Sequence, residues 1–513
     1  MSRLFGEAKQ PMSGNLRGFR SYTLSELPEH DLTPDLPAPS SGLGSRALRN
    51  TVLVLTAKVA ARLVALVTVL AMIKHLSPAQ YGAFATLVNF TAIVSVVLDL
   101  GFNVLFVREG ARHPAEIQRY LRNVMSVRLL LSVVSLGLLA AALVFAGLES
   151  LLLPAFGLMV LTSYSTLLRN GLYAVQRLGY EAIAVVLESL VLLALVLYGI
   201  NSGRGVTYYI WAYAAQYGFS CIYFSIVLAA KRIAVVGWGF DVPLIREWFW
   251  KGMPFAFTFV LTILYFKIDQ PLVYALRPHA EAGWYGAAYK PFESLLFIPM
   301  TFLSTVFPVL SIYHRERPSE LLDALNRFYK ALLLIGWPMS VGIFVLAYPL
   351  SHALLYDQSA DAVRILSLGT GLAFVNNAFI GALSASDRQS SFTWAAAWSL
   401  VANVALNLAL IPSFGYRGAS WATVMTEIVL GVAGWILTAR HIGRIPVGQL
   451  SWRIVLAGLV MGAAVFPIRD QHGLAIAIPV VVGVVVYGAA VLLLRALTKE
   501  EIGWARRALA QAR

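Results

Sequence analysis

Residues 51–73 read TVLVLTAKVAARLVALVTVLAMI. About twenty apolar residues in a helix span the hydrocarbon of a bilayer, and this run is long enough. Two cations, Lys58 and Arg62, interrupt it. Similar apolar runs recur along the whole chain. They lie near 51–73, 84–106, 124–146, 150–172, 180–200, 206–229, 255–276, 286–312, 328–349, 362–385, 392–411, 418–438, 453–468 and 474–496. Of the 513 residues, 58% are hydrophobic and only 13% charged. Soluble domains carry roughly 25% charged residues, so lipid must solvate most of this chain. The expected fold is an all-α polytopic membrane protein of about fourteen transmembrane helices.

The distribution of basic residues supports that count. An even number of spans puts both termini on one side. With that side taken as cytoplasm, 30 of the 40 Lys and Arg fall in tails and cytoplasmic loops. One such loop holds Arg108, Arg112, Arg119, Arg122 and Arg128, and another holds Lys231, Arg232, Arg246 and Lys251. Only Lys74, Arg204, Arg277, Arg364, Arg417 and Arg469 fall outside. This is the positive-inside bias. It also explains the formal net charge of +14 without a nucleic-acid partner.

Residues 1–50 are different in kind. Segment 21–50 is rich in Pro, Ser and Asp and cannot bury enough apolar surface to order itself, so a cytoplasmic tail is expected. No apolar run follows the first basic residues, so no cleavable signal peptide is expected. Tyr81-Gly82-Ala83 and Tyr285-Gly286-Ala287 open the second and eighth spans at an offset of 204 residues. The repeat suggests two parallel six-helix lobes, a common transporter plan. The expected organisation is a tail at 1–50, an N-lobe at 51–229, a cytoplasmic linker at 230–254, a C-lobe at 255–438, and two further helices with the C-terminus at 439–513.

Charges within spans are the candidate functional groups, because each is costly in hydrocarbon. Arg62 sits mid-span, roughly 16 Å from either end at helical rise. Lys58 lies one turn away on the same face. They could line a site for an anionic substrate group, or they could pair with Asp99, Glu188 or Glu427. Spans seven and eight carry Lys267, Asp269, Lys290 and Glu293. Matching depths suggest Lys267 with Glu293 and Asp269 with Lys290, and at least one interhelical ion pair. The 204-residue offset places Lys267 beside Arg62 in the repeat. Lys267 and Lys290 therefore join the substrate-binding candidates. Asp269, Glu293, Glu188 and Glu427 are the ion-coupling candidates. The lone Cys221 excludes an internal disulfide and a multi-cysteine metal site. No phosphate loop, metal-spaced histidines or nucleophile elbow is present, so neither an enzyme nor a cofactor is expected.

Three stretches carry a resemblance. LSPAQYGAFATLVNF (76–90) precedes LDLGFNVLFVREGAR (98–112). YFKIDQPLVYAL (265–276) precedes AGWYGAAYKPFESLLFIPMTFLSTVFPVLS (282–311). IPSFGYRGASWATVMTE covers 411–427. In order and spacing they resemble oligosaccharide flippases of the Wzx type, in the multidrug/oligosaccharidyl-lipid/polysaccharide exporter superfamily. The resemblance implies a two-lobe alternating-access transporter in a bacterial inner membrane. Its substrate would be a polyprenyl-diphosphate-linked oligosaccharide, with membrane lipid, a glycan polymerase and synthesis enzymes as further partners. The alternatives are a lipid II flippase, a drug/cation antiporter and, among enzymes, a membrane glycan polymerase or ligase. A purely structural membrane protein would not need the buried charges.

The charge bias makes the topology testable. Reporter fusions at the C-terminus should read cytoplasm, and fusions within 350–361 should read exterior. An exterior C-terminus would refute the fourteen-span arrangement.

Overall fold

The computed structural model describes residues 41–471 and 473–497. The first lobe is α1 (Ser41–His75), α2 (Pro78–Asp99), α3 (Phe102–Arg112), α4 (Ile117–Phe145), α5 (Leu152–Ala174), α6 (Leu178–Asn201) and α7 (Val206–Ala230). The second lobe opens with α8 (Val242–Lys267), α9 (Asp269–Leu276), α10 (His279–Leu295) and α11 (Phe297–Glu316). It continues with α12 (Pro318–Leu354), α13 (Ala360–Ala385), α14 (Gln389–Phe414) and α15 (Tyr416–His441). Two helices follow, α16 (Val447–Val465) and α17 (Ala477–Leu493). Among the described residues, 13 helical stretches are long and apolar enough to cross a membrane, and Ala477–Leu493 is a shorter apolar helix. The chain is a multi-pass, all-α membrane protein, as its sequence indicates.

Two expected boundaries move. The expected tail falls on 1–40, outside the described residues, and on 41–50, which is helical. Its last part, SRALRN, is made largely of good helix formers and runs on into the first span. The linker expected at 230–254 contracts to 231–241, because Asp241 caps α8 and Pro243 suits its first turn. That linker is tied to α4 of the first lobe. The Gln118 amide bonds both the N–H (2.6 Å) and the carbonyl (2.8 Å) of Val235. Asn123 Oδ1 accepts from the Asp241 N–H at 2.6 Å. The hydrogen bond from Arg119 holds the Asp241 carboxyl below the usual carboxylate range.

The second span starts and stops for local reasons. Ser77 and Gln80 form a reciprocal capping box, with Pro78 in the first turn. At the other end the chain turns left-handed at Leu100 (φ 41°) and Gly101 (φ 79°), which parts α2 from α3. Asp99 spans the break: Oδ1 accepts from the Asn103 N–H at 3.1 Å and from Arg128 at 3.0 Å. Arg128 is completely buried and also bonds Asn103 Oδ1 (2.8 Å), the Ser163 hydroxyl (2.9 Å) and the Ser163 carbonyl. Sorting loop charges from the sequence put Arg128 in the cytoplasm. It lies instead inside α4, which begins at Ile117 rather than near 124.

The lobes meet along the helices that the repeat makes equivalent. α2 packs on α10. A Cβ on Gly82 would overlap the His279 carbonyl oxygen, and one on Gly283 would overlap that of Pro78. At the other end of α2, a Cβ on Gly101 would overlap the Gly252 carbonyl oxygen of α8. Only hydrogen side chains allow backbones this close. Lys74 Nζ adds bonds to the carbonyls of His352 (2.9 Å) and Leu355 (2.7 Å), at the end of α12.

Removing one member of a buried pair strands the other. Arg128→Met should therefore cost about 3–5 kcal/mol. Adding Asp99→Asn should recover most of that loss. Thermal melting of the detergent-solubilised variants measures both, and an unchanged melting point for Arg128→Met would count against the assigned role.

Candidate functional site

The second lobe's first two spans are both interrupted. Pro271 has no N–H for the Lys267 carbonyl, and α8 gives way to α9 at Ile268. Pro299 has none for the Leu295 carbonyl, and α10 gives way to α11 at Leu296. Broken spans of this kind are where transporters build their sites.

Beside the first break, Lys267 Nζ lies 2.5 Å from Glu293 Oε1, and Lys290 Nζ lies 3.0 Å from Glu293 Oε2. The expected Lys267–Glu293 pair is present, but it is part of a triad with one positive charge in excess. These three side chains line a cavity of about 40 Å³ together with Phe84, Asn89 and Tyr213 of the first lobe. That volume holds about one water, so the lobes are apposed here.

Arg62 stands on the first lobe, outside that cavity's lining. Its guanidinium lies 5.8 Å from the ring centre of Phe297, at the second break. Phe297 lies four positions after Glu293. None of the three acids considered as partners is available to Arg62. Asp99 pairs with Arg128. Glu188 accepts two bonds from Arg169, at 2.6 and 2.8 Å, and one from Ser220 at 2.5 Å. Glu427 meets Tyr265 and Asn376. Among the described residues, Arg62 has no ion pair. Lys58 behaves differently: it lies 3.3 Å from Glu181, which also accepts from Tyr173 at 2.6 Å. It is tied into the first lobe and does not join Arg62.

The coupling candidates also divide. Glu188 and Glu293 are neutralised by Arg169 and by two lysines. Asp269 does not meet Lys290, contrary to the matching of depths: two positions on from Lys267, it points to the opposite side, into the lobe. There it is 3% exposed and accepts from Asn407 (2.8 Å), Thr423 (2.8 Å) and Tyr285 (3.0 Å). Asn403 Oδ1 is 3.1 Å from the Asn407 amide, whose own Oδ1 has no partner. Glu427 is 4% exposed and accepts from Tyr265 (3.0 Å) and Asn376 (2.7 Å). Neither acid has a cation among the described residues. No group of three His, Cys, Asp or Glu gathers among them either. The neutral oxygens around Asp269 nevertheless suit a hard cation.

Sequence reasoning missed Arg169, Tyr265, Tyr285, Asn376, Asn403, Asn407 and Thr423. A signal existed for some of them: Asn403 and Asn407, like Thr423 and Glu427, are four apart in otherwise apolar spans and so share a face.

Residues 47–314, over half the chain, match the family described as "Polysaccharide biosynthesis protein". The chain belongs to that family. No curated protein matches it in sequence. Among solved structures, the lipid II flippase MurJ in an inward closed conformation is similar over 86% of this chain and 99% of that one. The identity is 16% and the TM-score 0.73. An inward-facing multidrug resistance transporter of the MATE family, in the MOP superfamily, covers 76% and 98%, at 14% identity and a TM-score of 0.61. These likenesses establish the fold. The resemblance read from the motifs thus holds at the level of family and architecture.

The triad makes a prediction about stability. Glu293→Ala leaves Lys267 and Lys290 facing each other unneutralised. It should destabilise the protein by about 1–3 kcal/mol, and less in high salt. Adding Lys290→Met should restore part of the loss. Melting curves of the single and double variants decide this.

Proposed function

We propose that this protein is a flippase. It carries a polyprenyl-diphosphate-linked oligosaccharide from the inner to the outer leaflet of a bacterial cytoplasmic membrane, by alternating access of its two lobes. Both termini are then cytoplasmic. The observation that carries the reading is the unanswered positive charge between the lobes: Arg62 has no acid, and Lys267 and Lys290 share one. An anion of two charges compensates that excess. A diphosphate is such an anion, and the family's link to polysaccharide synthesis makes a lipid-borne glycan the natural cargo. The guanidinium offers paired donors to phosphate oxygens, while the lysines act as point charges. The reaction is movement, not bond chemistry, and no residue is given a catalytic role. Asp269 supports coupling, since a buried carboxylate held only by neutral donors among the described residues gains from taking a cation. The glycan polymerase and the synthesis enzymes are proposed partners.

A lipid II substrate is the second reading. It presents the same diphosphate, and the fold shared with MurJ accommodates it. The two readings differ in the sugar and agree on the cationic contact.

The contact is tested at Arg62. Arg62→Ala should abolish glycan export while the protein still accumulates in the membrane, because no acid is left stranded. Arg62→Lys should keep part of the activity, since the charge remains and the fork is lost. Surface glycan staining in a strain lacking the native copy reads the effect. Wild-type staining together with wild-type lipid II turnover in Arg62→Ala would remove Arg62 from the site. Staining unchanged but lipid II turnover blocked would favour the second reading.

A further inference from the structure

We infer that Glu427 is a second ion-carrying group, one helical turn from Asp269, and that the ion it takes is a proton. The inference rests on the transport reading and adds a step to it. α15 faces the α8–α9 junction in two rungs. In one, Thr423 of α15 donates to Asp269 of α9 at 2.8 Å. In the next, Tyr265 of α8 donates to Glu427 of α15 at 3.0 Å. Tyr265 and Asp269 are four apart, as are Thr423 and Glu427, so the rungs stack. Each rung opposes one acid to one hydroxyl, with the acid on alternate helices.

The partners of Glu427 suit either charge state. The Asn376 amide donates to Oε2 (2.7 Å) and to the Glu427 carbonyl (3.0 Å), so its nitrogen faces two acceptors. The Tyr265 hydroxyl can donate to a carboxylate or accept from a carboxylic acid. One rotation of that hydroxyl therefore satisfies both forms. An acid kept only for packing has no use for such a partner. Asn376 is held in place from behind, because Gly431 leaves room for its Oδ1: a Cβ there would lie 2.7 Å away. Around Asp269 the neutral oxygens of Asn403, Asn407 and Thr423 can wrap a metal cation. Around Glu427 no such set of oxygens gathers, and a carboxyl 4% exposed with no cation beside it among the described residues sheds the cost of its charge by taking a proton.

The titratable groups facing Glu427 are Tyr265 from α8, Tyr289 from α10 and, one rung away, Asp269 from α9. α13 contributes Asn376, and α14 contributes the neutral Asn403 and Asn407 to the neighbouring rung. Tyr289, whose hydroxyl donates to the Phe266 carbonyl at 3.2 Å, also lines the cavity between the lobes.

Infrared difference spectroscopy of the full-length protein in lipid, with no substrate added, tests this. A pH step should change a protonated-carboxyl stretching band that Glu427→Gln removes and Asp269→Asn retains. Gly431→Ala crowds Asn376 and should shift the pH at which the band changes. It stands in if Glu427→Gln does not fold. Three results would each overturn the inference: no pH-sensitive carboxyl band in the wild type, a band that survives Glu427→Gln, or a Gly431→Ala band that titrates as in the wild type. The measurement needs no glycan, so it is independent of whether the proposed substrate is right. Loss of export in Arg62→Ala tests that separately.

Discussion

A charged side chain in hydrocarbon must be answered by an opposite charge, by hydrogen bonds or by water, and that constraint sorts this protein's polar groups. Most are answered within the fold. Arg128 meets Asp99, Arg169 meets Glu188, and Lys58 meets Glu181. Each pair joins two helices of the first lobe, and each fixes a helix in place. Arg62, Asp269 and Glu427 are not answered by charge among the described residues. A fold under no functional demand would replace the two buried acids, Asp269 and Glu427, at little cost, since buried charges rarely add net stability. The separation between answered and unanswered charges is the strongest physical marker of the site.

Helix geometry makes that separation possible. Two positions apart, Lys267 and Asp269 point to nearly opposite sides. Lys267 reaches Glu293 beside the first lobe, while Asp269 turns in among α14 and α15. The glycine contacts then hold the lobes in register. Gly82 against His279 and Gly101 against Gly252 leave no room for side chains at either end of α2.

The fold was readable because hydropathy and loop charge report on lipid directly. Span number, the repeat and the lobes follow from them. Single charges were readable only where depth alone decides, as with Lys267 against Glu293. Depth says nothing about rotation around a helix, so Asp269 was matched to Lys290 and not to Asn407. Helix ends were the other blind spot. Arg128 and Arg169 lie close enough to a predicted boundary to count as loop charges, yet both are inside helices and take the acids that Arg62 seemed to need.

The two lobes are unequal in a way that bears on how transport could be driven. In the first lobe the acids within spans, Asp99, Glu181 and Glu188, are all paired with cations. In the second, Asp269 and Glu427 are held by neutral donors alone. An ion arriving there changes the charge of the lobe from within, while the first lobe has no comparable group to discharge. The rungs that hold these acids join α15 to the same broken span that carries Lys267. Ion uptake at Asp269 or Glu427 alters the hydrogen bonds on one side of the Ile268 break, and the substrate's phosphates alter the ion pair on the other. Two ligands that each shifted this junction would be coupled to one another. The break between α8 and α9 is therefore the place where the proposed substrate and the proposed ions would exchange free energy.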